Sequence, residues 1–152
     1  MTIMLHDKFK FLFWLALVLC TPAHAGLQAD HPLAADHWKH RVLIISVQTD
    51  DHPLLANLRA SMQEKDNQAA FAERLMVLYE IINGKAWRDG KPLDERQNLM
   101  LIESLALEPP YPATTFLIGL DGGIKLHSED RVSLQNIFQL IDGMPMQQNR
   151  QQ

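Results

Sequence analysis

The chain has 152 residues, 47% of them hydrophobic, with 14 Lys and Arg against 18 Asp and Glu for a formal charge of −4. That length suits one domain, and the acidic balance argues against a nucleic-acid partner. With Cys20 as its one cysteine, the chain has no intramolecular disulfide to stabilise it.

Lys8 and Lys10 precede an apolar run from Phe11 to Leu19 that is too short to span a bilayer as a helix. Ala23-His24-Ala25 then supplies the small-x-small pattern that a signal peptidase accepts. The sequence therefore predicts a cleaved signal peptide over residues 1–25 and a periplasmic or secreted product that starts at Gly26, with no stable membrane insertion afterwards. Bulky Leu19 before Cys20 disfavours lipoprotein processing, and Pro22 disfavours a retained anchor. Loss of Lys8, Lys10 and Asp7 leaves 12 basic and 17 acidic side chains, a charge of −5. It also removes Cys20, so the mature protein would have no thiol.

Residues 26–37 are polar and contain proline, and they read as a loosely held N-terminal arm. Trp38 is expected to pack on the sheet edge. Val42 to Val47 is apolar without alternation, the pattern of a strand covered on both faces. Pro53, at a favourable first helical position, opens a helix to about Lys65, and a short helical turn is expected over Gln68 to Glu73. Leu75 to Ile82 forms the next strand, parallel to the first. Asn83-Gly84 and Asp89-Gly90 bracket a loop, and Leu93 to Leu107 is a second amphipathic helix. Two further strands, from Thr114 and from Gly123, flank a two-residue Asp121-Gly122 turn with positive backbone angles. Ser133 caps a last helix that ends at Gly143, and residues 147–152 form a disordered tail. The order β-α-β-α-β-β-α is that of a thioredoxin-like three-layer sandwich around a mixed four-stranded sheet, here spanning residues 38–146.

Four segments carry a resemblance. They are Trp38-Lys39 with Arg41-Val42-Leu43-Ile44; Glu73-Arg74; Leu117-Ile118-Gly119 with Asp121-Gly122-Gly123-Ile124-Lys125; and Ile141-Asp142-Gly143-Met144-Pro145-Met146. Together they resemble a secreted bacterial family known only as a domain of unknown function, related to the extracellular domains of equarin and sushi-repeat matrix proteins. The resemblance implies a peroxiredoxin-like variant of the thioredoxin fold and no established activity. Leu120 and Gln147 stand where that family usually carries lysine and arginine.

In such a fold the reactive group lies where the first helix begins, because free N–H groups and the helix dipole stabilise an anion there. Here Thr49, Asp50, Asp51 and His52 occupy that place, with Thr49 three residues ahead of His52 as a peroxiredoxin spaces threonine and cysteine. Thr49 or Asp50 is expected to cap the helix. Histidine forms no sulfenic acid, so peroxide reduction at sulfur is excluded for the mature chain. Trp87 and Arg88, with Lys85 and Lys91, form a basic aromatic cluster suited to gripping a partner. His31, His37 and His40, with Asp30 and Asp36, offer an alternative as zinc or copper ligands. Pro112 lies about where thioredoxin-like folds place a cis-proline. No nucleophile elbow, phosphate-binding glycine loop or paired-carboxylate motif is present. The sequence thus favours a non-redox exported protein, with no cofactor, that binds an envelope protein or a small ligand; the alternative is a periplasmic metal-binding protein.

Overall fold

The computed structural model describes residues 30–129 and 131–144. A short 3-10 turn, Pro32–Ala35, leads into β1 (Arg41–Val47), α1 (Pro53–Met62), α2 (Lys65–Glu73) and β2 (Met76–Ile82). Then follow β3 (Lys85–Arg88), β4 (Lys91–Pro92), α3 (Glu95–Ser104), β5 (Thr114–Ile118), β6 (Ile124–Ser128) and α4 (Leu134–Asp142). The six strands form one sheet in the order β4-β3-β2-β1-β5-β6, in which only β1 and β2 are parallel.

Strand β1 divides the core because successive side chains leave a strand on opposite faces. Leu43, Ile45 and Val47 pack with Leu55 of α1, Phe71 of α2 and Ile137 and Phe138 of α4. Val42 and Ile44 pack with Leu101 of α3, Leu105 and Leu33 on the other face. Burial on both sides explains the unbroken apolar run, and the three layers are those of a thioredoxin-like fold.

The sheet has six strands rather than four, because the expected loop at 83–92 is a pair of hairpin turns. Asn83 and Gly84 have φ of +48° and +74°, and Asp89 and Gly90 have +46° and +76°. Both central residues of each turn are left-handed, as a two-residue hairpin requires. At Asp121-Gly122 the reverse holds. Gly122 is left-handed at φ +76° whereas Asp121 is not. Gly119 and Gly123 close a longer loop there, with the Gly119 N–H donating to the Gly123 carbonyl at 2.9 Å. Register then slips beside Ile118, as in a hairpin with a bulge.

Two other expectations change. α2 is a full helix of nine residues, not a single turn. Trp38 does not pack on the sheet edge: it is 59% exposed. The geometry at Pro112, which the sequence leaves open, is trans; among the described residues the cis peptide is Pro109–Pro110. The signal segment, Pro145-Met146 and the tail lie outside the described residues, while Met144 packs against the helical face.

Candidate functional site

Pro53 occupies the first position of α1, which makes His52 the cap rather than Thr49 or Asp50. The His52 Nδ1 accepts the Leu54 N–H at 3.2 Å. Thr49 contributes only its carbonyl, which accepts the His52 N–H at 3.2 Å. Thr49, Asp50 and Asp51 are exposed. Asp50 instead accepts from Arg59 Nη1 at 2.8 Å.

Arg59 reaches from α1 to β2, where Nε and Nη2 donate to the two Glu80 oxygens at 2.8 and 3.2 Å. The Glu80 hydrogen bond, and then Asp50, hold this guanidinium in its charged form against the opposing effect of burial. Glu80 lies opposite Trp87 in the β2–β3 ladder, and directly paired side chains share a face. The fold thus brings two sequence candidates, the Thr49–His52 loop and half-buried Trp87, to the α1 side of the sheet, joined through Arg59 and Glu80.

Arg88 goes the other way. Paired with Tyr79 on the α3 side, it donates to both oxygens of Asp36, from Nη2 at 2.6 Å and Nε at 3.1 Å. The Tyr79 hydroxyl donates to Asp36 at 2.8 Å, and its oxygen also lies 3.2 Å from the Pro32 carbonyl. The His40 Nδ1 lies 2.9 Å from the other carboxylate oxygen. Asp36 is 1% exposed. Burial pushes its carboxyl up, but Arg88, Tyr79 and His40 outweigh burial and leave it below the ordinary range. Burial first, and Asp36 second, push the Tyr79 phenol up. The expected loose arm is therefore fixed from residue 30 onwards, because a buried carboxylate has to stay with its partners.

Each histidine proposed as a metal ligand makes another contact. The buried His31 caps the 3-10 turn, with Nδ1 accepting the Leu33 N–H at 3.2 Å. The His37 ring lies 5.3 Å from that of Trp38. His40 serves Asp36, and the length of β1, roughly 20 Å, separates it from His52. Among the described residues no group of three or more His, Cys, Asp or Glu could hold a metal ion. A small depression lies beside Asp36, His37 and His40, and a shallow open one along Leu99, Met100 and Glu103; Thr49 and His52 line neither.

A family profile described as Domain of unknown function (DUF4174) matches residues 32–150. The chain belongs to this family. No curated protein sequence matches it. Among solved structures, that of a reduced 2-Cys peroxiredoxin from Plasmodium vivax is similar, with a TM-score of 0.51 and 16% identity over 72% of this chain and 80% of that one. At that identity the likeness is one of fold.

Sequence reasoning missed Arg59, Glu80 and Tyr79, and gave Asp36 only a supporting role. Tyr79 was the available signal: a phenol inside a buried strand needs a hydrogen-bond partner. Equally unannounced are two bulky side chains in left-handed backbone, Trp38 at φ +62° and Leu75 at φ +52°. They are 59% and 52% exposed and lie at one end of the sheet. The Trp38 N–H donates to the Leu120 carbonyl at 2.7 Å, and the Arg41 N–H to Leu75 at 2.8 Å.

Proposed function

We propose that this protein is an exported thioredoxin-like domain without thiol chemistry that acts by binding a protein of the cell envelope. One observation carries the reading: where the fold reserves a place for a reactive sulfur, His52 spends its Nδ1 capping α1. The chain's one cysteine, Cys20, belongs to the segment with the features of an export signal.

Trp38 is the contact residue this reading favours. Left-handed backbone costs a bulky residue about 1–3 kcal/mol, and such strain gathers at functional positions. Tryptophan also leads the residues that anchor interfaces. Arg88, turned inward to Asp36, contributes to the fold rather than to a grip, whereas Trp87 stays half-open beside Glu80.

Two experiments test the parts of this reading separately. Fractionation and N-terminal sequencing are expected to find a mature form that begins at Gly26 outside the cytoplasm; an intact N-terminus would refute export. Purified protein is expected to leave hydrogen peroxide and disulfide substrates unchanged. Turnover that persists on repurification and disappears in His52→Ala would refute the binding assignment.

A further inference from the structure

Asp30-His31-Pro32-Leu33 and Asp51-His52-Pro53-Leu54 repeat the same four residues, and they are built alike. In each, proline takes the first helical position and histidine is the cap, with φ, ψ of −69°, 133° at His31 and −61°, 132° at His52. In each, Nδ1 accepts the leucine N–H at 3.2 Å. An accepting Nδ1 is unprotonated, since an imidazolium has two N–H groups and no lone pair to offer. Both caps therefore exist only with neutral rings.

Their surroundings differ. His52 is half-buried and can turn to water, with Asp51 beside it and Asp50 held by Arg59. His31 is 9% exposed. Of the charged groups near it, Asp30 is held by Arg96 of α3 at 2.9 Å, and Asp36 is held by Arg88 and His40. Among the described residues no carboxylate is hydrogen-bonded to the His31 ring, and from α3 the Met100 backbone acts on it. Burial lowers its pKa below the ordinary histidine value, and Met100 opposes this only in part. The other imidazoles of the segment do not share its position: protonated His40 keeps a donor on Asp36, and His37 lies beside Trp38.

We propose that His31 is an acid-released catch: protonation of its ring breaks the cap on Leu33 and frees residues 30–35 from α3 and the sheet, while Asp36 stays clamped by Arg88 and Tyr79. Release would uncover Leu33 and the core it covers, which includes Val42, Ile44 and Leu101. The sign follows from linkage. A group whose folded pKa is lowered holds its state above the unfolded value, about 6.5 for histidine, and loses it as pH falls from there through the folded value.

Amide hydrogen exchange of the purified protein at pH 7.5 and 5.5, corrected for the intrinsic effect of pH, tests this. Protection over residues 30–35 is expected to fall by up to about tenfold, the limit for a pH one unit below the free histidine value, with β1 and α4 unchanged. His31→Asn supplies an acceptor that does not titrate and should remove the pH response, whereas His52→Asn should keep it. Equal protection of wild type at the two pH values, or the same loss in His31→Asn, would overturn the proposal. Should His31→Asn fail to fold, an NMR titration of the wild-type His31 ring decides: a midpoint below 6.5 supports the catch and one at or above it refutes it.

Discussion

Two arginines clamp the two faces of one sheet, and they do different work. Arg88 secures a carboxylate, Asp36, that is 1% exposed and that tethers the N-terminal segment. Arg59 secures Glu80 at 13% and Asp50 at 71% exposed, and it ties a surface loop to α1 and β2. The geometry at each is bidentate, so the difference lies in the dielectric around the anion. A buried carboxylate without its partner cannot recover its hydration, whereas one at the rim can. One clamp holds the fold together, and the other arranges the loop where a thioredoxin-like protein would keep its chemistry.

Removing Arg88 should have the largest effect on stability. Because Arg88 is itself about one-third exposed, Arg88→Ala is expected to cost about 3 kcal/mol, the lower end for a broken buried pair, read as a fall in the urea midpoint at constant slope. A loss no greater than that of a surface substitution would erase the distinction between the clamps. At the exposed end of the other clamp, Asp50→Asn should cost less than about 1 kcal/mol and leave the fold intact.

Acid unfolding sharpens the same contrast. The folded Asp36 pKa is depressed, so its contribution is complete above the unfolded carboxylate value of about 3.9 and is lost as pH falls through the folded value. Wild type should therefore keep this contribution at pH 5 and lose it below pH 4 or so, whereas Arg88→Ala, in which burial lifts the Asp36 pKa with less to oppose it, should lose less stability over the same range. Trp38→Gly should change stability in the opposite sense, raising it by up to about 1 kcal/mol because glycine accepts the left-handed backbone without strain. The smallest effect belongs to Arg74 and Asp142, which join α2 to α4 on the exposed surface. Asp142→Asn should leave the melting temperature close to wild type.

The layers and the long elements were legible because periodicity and the unbroken β1 run report burial directly. The hairpins at Asn83-Gly84 and Asp89-Gly90 carried the strongest short-range turn signals in the chain, yet the two short, charged segments beside them hid the strands. Capping was misplaced because Thr49 and Asp50 are the better capping residue types, but Pro53 fixed the helix start three or more residues later. The role of Asp36 as a buried anchor could not be found from sequence. It depends on Arg88, 52 positions away, and on Tyr79, 43 away, meeting across the sheet.

The central claim, a thiol-free fold that works by contact through Trp38, is tested most directly by photo-crosslinking in intact cells with a photoreactive residue at position 38, and at position 87 for comparison. The account predicts one defined envelope-protein adduct from position 38. No adduct from position 38, together with substrate turnover by the purified protein that is lost in His52→Ala, would contradict it.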